Sequence, residues 1–136
     1  LDMKCKIMLM THGKLAESLS ATAELICGEK VAFKNMPEVL DMQEYKKFIN
    51  DVLDENKETG VLFLTDLMGG SPFLACMQVM KERKDEMELV TGCNLGMLLE
   101  VISNMNNMDI HELKEIAVKA GQQGVIDIKK QMKGLD

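Results

Sequence analysis

Residues 61–73 of this chain read VLFLTDLMGGSPF, and this stretch decides the fold. The fully apolar run 61–64 has the length and composition of a β-strand buried on both faces, as in a parallel sheet covered by helices. The run is followed by Asp66 and a pair of glycines. A helix is then predicted to begin, with Ser71 as its N-cap and Pro72 at its first position. The stretch is therefore one strand–turn–helix unit.

A second unit of the same kind lies near the start of the chain. An apolar strand is predicted near residues 4–10, and it ends in Thr11-His12-Gly13. A helix follows, with apolar residues at helical spacing and Gly28 as its C-terminal stop. Because the carboxyl ends of parallel strands meet at one edge of a sheet, we expect His12 and Asp66 to lie close together there.

The remaining pattern continues to alternate strands and helices. Besides the two units above, we predict strands near 31–34, 87–90 and 125–128, and helices over 42–57, 95–102 and from 109 to about 120. The helix that begins at Ser71 is predicted to end at Arg83. The helix at 95–102 is apolar on so many sides that the sequence predicts its burial in a subunit interface. Alternating strands and helices specify a single α/β domain, 1–136, with a mostly parallel sheet. Residues 1–2 precede Met3 and are expected to be a remnant of expression.

Composition excludes several classes of function. The chain has 136 residues and a formal net charge of −6, which argues against binding nucleic acid or acidic membrane surfaces. No apolar run approaches the roughly 20 residues of a membrane helix, and no signal peptide is recognisable. The four cysteines are scattered without a CxxC pair, as expected of reduced thiols in the cytoplasm. Neither a metal-binding cluster nor a phosphate-binding glycine loop of a nucleotide site is present, so we expect no cofactor.

The paired ends of the two units suggest phosphoryl chemistry. A neutral imidazole is a good nucleophile near pH 7, and the carboxylate of Asp66 is suited to hold the proton on its other ring nitrogen. We predict that His12 and Asp66 are catalytic. The phosphate-binding residues are predicted to be Thr11, Gly69, Gly70 and Ser71, with the start of the following helix donating backbone amides. A structural role for His12 is the plain alternative, and His111 is expected to be a solvated surface residue.

Four segments resemble the IIA domain of the mannose-family bacterial sugar phosphotransferase system. They are Thr11-His12-Gly13, ELICG at 24–28, DLMGGSPF at 66–73 and GCNLGMLLE at 92–100. The resemblance extends from about residue 6 to about residue 130, and the DLMGGSPF segment is its most specific part. Two positions depart from the family pattern, Leu74 where members often have Asn and Gly96 where they often have Pro.

The resemblance implies a cytoplasmic phosphocarrier. Such a protein accepts a phosphoryl group from phospho-HPr onto a histidine, His12 by motif match, with Asp66 as its hydrogen-bonding partner and Ser71 near the phosphate. It passes the group to a IIB protein or domain, which phosphorylates the sugar during transport. The family fold is a doubly wound parallel sheet, dimerised by exchange of a C-terminal strand that would be residues 125–128 here. Membrane insertion is not expected.

Three alternatives stay open at this stage. One is a carrier of the same fold that serves dihydroxyacetone kinase, although the Gly-Gly-Ser-Pro sequence favours the sugar family. Another is a regulatory module in which phosphorylation of His12 signals to a transcription regulator. The third is an α/β dimer that binds a small anion and transfers nothing.

Overall fold

A computed structural model describes residues 6–36 and 41–133 of the chain. Within them, strands and helices alternate. The strands are β1 (Ile7–His12), β2 (Ala32–Met36), β3 (Val61–Thr65) and β4 (Met87–Val90). The helices are α1 (Leu15–Cys27), α2 (Met42–Glu55), α3 (Ser71–Arg83), α4 (Leu95–Asn104), α5 (Ile110–Gln123) and α6 (Ile128–Lys133), with one 3-10 turn at Lys84–Glu86.

The described strands form one parallel sheet in the order β2-β1-β3-β4. The chain first moves from β1 outward to β2, then crosses back over β1 to β3. The strand order therefore reverses between β1 and β3, which is where open α/β sheets place their sites. This confirms the predicted α/β class with a doubly wound parallel sheet and helices on both faces.

Two apolar cores hold the layers together, one on each face of the sheet. Alternate residues of each strand point to opposite faces, so Leu9 and Leu64 face one core whereas Met10 and Phe63 face the other. The first core is closed by α1, α4 and α5, and the second by α2 and α3. All five residues of β3 are buried, as its apolar sequence predicts for a central strand.

Helix α4 is covered by this chain's own elements. Its buried residues Met97, Leu98, Val101 and Ile102 belong to the first core, which α1 and α5 complete. Leu99 packs against the same core while partly exposed. Burial within the chain therefore accounts for these four side chains. The burial of α4 in a subunit interface stays a prediction.

The strand predicted at 125–128 is not formed in this chain. Residues 125–127 lie outside any strand or helix, and Ile128 begins α6. The side chain of Asp127 accepts a hydrogen bond from the backbone N–H of Lys130 at 3.1 Å, as at a helix N-terminus. The apolar composition of this segment fits a strand, but a strand needs a neighbouring edge, and in the described residues β4 pairs with β3 alone.

Two smaller boundaries also differ from the predictions. The N-cap of α3 is Gly70 in extended conformation, so Ser71 is the first helical residue and makes no capping hydrogen bond. Strand β2 continues through Met36, two residues beyond the strand predicted near 31–34, because it stays paired with β1 as far as His12. Residues 4 and 5 of the first predicted strand fall outside the described residues, and so does Pro37, which follows β2.

Candidate functional site

His12 and Asp66 meet at the carboxyl edge of the sheet, as predicted. His12 is the last residue of β1, and Asp66 follows β3 directly. Nδ1 of His12 lies 3.1 Å from Oδ1 and 3.0 Å from Oδ2 of Asp66. The backbone N–H of His12 also donates to Oδ2 at 3.1 Å. The carboxylate therefore orients both the ring and the backbone of the histidine.

The Asp66 carboxylate is shielded but well supplied with donors. Its side chain is 11% exposed, whereas that of His12 is 48% exposed. Burial acts to raise the pKa of the Asp66 carboxyl. The hydrogen bonds from the ring and backbone of His12 outweigh it and hold this pKa below its usual value. The amide of Leu67 contributes a further hydrogen bond at 3.0 Å. Asp66 is thus ionised at neutral pH, and its carboxylate accepts a hydrogen bond from the Nδ1–H group of His12.

The open nitrogen of the ring, Nε2, faces the beginning of α3. A Cβ atom added to Gly70 would lie 2.5 Å from Cε1 and 3.1 Å from Nε2 of His12. Any side chain at this position would collide with the ring, so glycine is required by space rather than by backbone conformation. The preceding Gly69 has a positive φ of 82°, a conformation that glycine adopts without strain.

Helix α3 also begins with amides that no side chain caps. Gly70 makes no side-chain capping bond, and Pro72 has no N–H to offer. Among the described helices, α2, α4 and α5 are capped by Asp41, Asn94 and Asp109. The positive end of α3 is thus unneutralised beside Nε2, which is the arrangement that binds a phosphate or another anion.

Thr11 occupies a different place from the one predicted. It is 0% exposed, and its hydroxyl oxygen accepts a hydrogen bond from the backbone N–H of Ala16 at 2.6 Å. The hydroxyl donates in turn to the carbonyl of His12 at 3.2 Å. A buried hydroxyl with both partners in the protein does not reach an anion at Nε2, so this geometry favours a positioning role over phosphate binding.

The loop after β4 contributes a third side of the site, although none of its residues is among the predicted site residues. The backbone N–H of Cys93 donates to the carbonyl of Thr65 at 3.0 Å, next to Asp66. Burial, with a smaller contribution from the charge of Asp66, raises the pKa of the Cys93 thiol to about 12. The thiol is therefore protonated at neutral pH. The Gly92-Cys93-Asn94 turn after an apolar strand was the signal available in the sequence.

The second histidine lies elsewhere. His111 is near the start of α5, with its side chain 56% exposed, and Nδ1 pairs with Glu88 of β4. It is at the surface, as predicted, but bound to a carboxylate. Across residues 6–36 and 41–133, no group of three or more His, Cys, Asp or Glu side chains is arranged to hold a metal ion.

Comparisons with known proteins agree on one family. The sequence profile described as "PTS system fructose IIA component" matches residues 6–118. The mannose-specific EIIAB component of Escherichia coli K12 is 33% identical over 144 residues, covering 93% of this chain. This chain spans only 40% of that relative's length. The sorbose-specific EIIA component of Lacticaseibacillus casei is 28% identical over 120 residues, which are 87% of this chain and 86% of the relative.

A solved structure gives the same result. The mannose/sorbose-specific IIA subunit of the Enterococcus faecalis phosphotransferase system superimposes with a TM-score of 0.79 and 29% identity. The superposition covers 92% of this chain and 95% of that one. The structural neighbour and the sequence relatives are thus both IIA components of phosphotransferase systems.

Proposed function

The chain belongs to the mannose/fructose IIA family of the sugar phosphotransferase system, and on this basis we propose that it carries a phosphoryl group on Nε2 of His12. It is a phosphotransferase component by family. The donor is proposed to be phospho-HPr and the acceptor a IIB protein or domain, which would phosphorylate the transported sugar.

One observation carries the proposal: the two ring nitrogens of His12 have different surroundings. Nδ1 is held by Asp66 at 3.0 Å, which favours the tautomer with its proton there. Nε2 then carries the lone pair and faces the uncapped N-terminus of α3. A ring held in this tautomer beside an anion-binding helix end is prepared to attack phosphorus and to hold the product.

The transfer step follows from this geometry. The lone pair of Nε2 attacks the phosphorus of the donor phosphohistidine, a new N–P bond forms, and the donor imidazole leaves with the electron pair of its broken N–P bond. The proton on Nδ1 stays in place, and the charge of Asp66 offsets the positive charge that develops on the ring. The backbone amides of Gly69, Ser71 and Phe73, with the Ser71 hydroxyl, would hold the phosphate oxygens. The amide of Gly70 donates instead to the carbonyl of Leu67 at 3.3 Å. Passage to the acceptor repeats the step in reverse.

Transfer between two proteins needs direct contact at the reacting atoms. The side chains of Leu67 and Met68 lie in the loop between Asp66 and Gly70 and are 61% and 80% exposed. Exposed apolar side chains beside an exposed imidazole support docking of a partner protein over the site, and a flexible methionine adapts to more than one partner. Leu74, in the first turn of α3, is a further exposed apolar side chain near the proposed site.

A homodimer in the cytoplasm is part of the proposal. Val125, Ile126 and Ile128 are 82%, 51% and 58% exposed in the chain described here. Covering these side chains would favour association with a second copy.

None of the helices within residues 6–36 and 41–133 has the length and apolar character needed to cross a lipid bilayer.

Intact mass after incubation with phosphoenolpyruvate, enzyme I and HPr tests the proposal. We expect one acid-labile phosphoryl group on the wild-type chain and none on His12→Ala. The matched control is His111→Ala, which removes the other histidine and should remain fully phosphorylated. An unmodified wild type with active phospho-HPr present would contradict the proposed function and favour an anion-binding or interaction module.

A further inference from the structure

Thr11 is a buried polar residue with a full set of partners beside the proposed nucleophile. It lies in β1 on the side that faces α1, and it is 0% exposed. A buried hydroxyl is costly unless it is hydrogen-bonded. Here it accepts from the backbone N–H of Ala16 and donates to the carbonyl of His12, at 2.6 and 3.2 Å. The side chain thus connects the first turn of α1 to the backbone of His12.

The peptide groups on both sides of His12 are consequently fixed. Its N–H donates to Asp66 at 3.1 Å, and its carbonyl accepts from Thr11. The next N–H, that of Gly13, donates to the carbonyl of Met36 in β2 at 2.9 Å. A residue held at both peptide groups has little freedom to tilt, so the direction of its Cα–Cβ bond is set before any partner arrives.

We propose that Thr11 is a positioning residue for the transfer reaction, acting through the His12 backbone to keep Nδ1 against Asp66. This inference rests on the proposed function. Removal of the hydroxyl would release the His12 carbonyl and leave the amide of Ala16 without its acceptor. The ring would then sample orientations in which Nδ1 no longer donates to Asp66, and the proton would divide between the two ring nitrogens.

Asn35 provides a matched control at the same helix end. Its side-chain oxygen accepts from the backbone N–H of Glu17 at 3.2 Å, and its amide group donates to the Glu17 carboxylate at 2.8 Å. It therefore holds the amide next to the one held by Thr11. No hydrogen bond joins it to His12 in the described structure. Thr11→Val and Asn35→Ala each free one amide of α1, but only Thr11→Val also frees the His12 carbonyl.

The test compares the ring nitrogens of His12 by ¹⁵N NMR in unphosphorylated wild type, Thr11→Val, Thr11→Ser and Asn35→Ala. We expect the Nδ1–H tautomer in wild type, in Thr11→Ser and in Asn35→Ala, and a mixture of tautomers in Thr11→Val. A spectrum of Thr11→Val identical to that of wild type would overturn the inference, as would an equal change in Asn35→Ala.

Transfer rates provide the second arm. We expect phosphorylation of Thr11→Val by phospho-HPr to slow by about tenfold or more, since small misplacements of a reacting group are costly. Thr11→Ser should restore the rate. If Thr11→Val does not fold, NMR of the wild type provides the test. We expect a slowly exchanging hydroxyl proton on Thr11, close to the amide proton of Ala16. The absence of this proton would overturn the inference. A wild type that accepts no phosphoryl group would contradict the proposed function, while the ring-nitrogen comparison would still decide the role of Thr11.

Discussion

Nδ1 of His12 lies 3.1 and 3.0 Å from the two carboxylate oxygens of Asp66, and the same carboxylate accepts the backbone N–H of His12. A single carboxylate thus holds the ring, its proton and the peptide group behind it. The pair spans two neighbouring parallel strands at the point where the strand order reverses. Each of the following predictions changes one part of this arrangement or of the scaffold that supports it.

Replacement of Asp66 by Asn should slow phosphorylation of His12 by about 10²- to 10⁴-fold, because the histidine loses its orienting carboxylate and is held in the wrong tautomer. The Asn amide can donate to Nδ1, which favours the tautomer with the proton on Nε2 and so removes the nucleophilic lone pair. The measurement is the single-turnover rate with phospho-HPr. Asp51→Asn, the same chemical change at an exposed residue of α2 paired with Lys47, should keep the wild-type rate. An unchanged rate in Asp66→Asn would remove Asp66 from the mechanism.

The lowered pKa of Asp66 makes stability depend on pH with a defined sign. Because the carboxyl pKa is below its reference value of 3.8 in the folded chain, the folded state binds this proton less readily than the unfolded state does. The stabilising contribution is therefore complete above that reference value and is lost as the pH falls through the lower folded pKa. Urea unfolding of wild type and Asp66→Asn across this range should show the difference in unfolding free energy shrinking with acidity. A difference that stays constant down to the lowest pH would contradict the lowered pKa.

Replacement of Gly70 by Ala should block phosphorylation without unfolding the protein. The backbone of Gly70 is extended, with φ −73° and ψ 167°, which alanine adopts without strain. The added methyl would, however, lie 2.5 Å from Cε1 of His12 and displace the ring. Gly96→Ala is the control, since its added Cβ lies at an ordinary 3.6 Å from its nearest neighbour, the Asn94 side chain. Phosphorylation of Gly70→Ala at the wild-type rate would show that the ring does not face this residue.

Arg83 should matter for stability and not for transfer. Its guanidinium donates to Asp54 and Glu86, each at 2.7 Å, and to the backbone carbonyl of Asn50 at 3.2 Å, which joins α2 to the end of α3. We expect Arg83→Ala to lower the free energy of unfolding by about 1–3 kcal/mol. Arg83→Lys should recover only part, because an ammonium lacks the forked geometry. The site lies at the opposite end of α3, about 20 Å away, so the phosphorylation rate of the folded variants should be unchanged.

The cysteines should differ in reactivity. Burial raises the pKa of Cys76 to about 12, and that of Cys93 to about 12 with a smaller contribution from Asp66, whereas Cys27 is exposed. Iodoacetamide at pH 8 should therefore modify Cys27 and spare Cys76 and Cys93 in the folded chain, since the thiolate is the reactive form. Peptide mapping by mass spectrometry reads this directly. Modification of Cys93 at the rate of Cys27 would contradict its burial beside Asp66.

Much of the site could be predicted from local sequence because each half follows a strand. An apolar run that stops at a polar residue and a glycine predicts a strand end, and the convergence of parallel strands brings His12 and Asp66 together. The bounds of β4 and the first residue of α4 were predicted for the same local reasons. These features depend on neighbours in sequence or on a general rule of sheet geometry.

The parts that were not predicted depend on tertiary contacts. Whether Thr11 faces an anion or the interior is decided by α1 packing over β1, which brings the amide of Ala16 to its hydroxyl. The N-cap of α3 is Gly70 and not the predicted Ser71, because the turn before the helix puts the extended backbone conformation of an N-cap at Gly70. Residues 125–128 have the β-branched, apolar composition of a strand, but a strand requires a partner edge that local sequence does not supply.

The central claim is that the phosphoryl group resides on Nε2 of His12, and ³¹P and ¹⁵N NMR of the ¹⁵N-histidine-labelled phosphoprotein test it most directly. We predict a scalar coupling between phosphorus and Nε2 of His12, with the Nδ1 proton still present and bonded to Asp66. Coupling to Nδ1, or a phosphoryl group on any residue other than His12, would contradict the account.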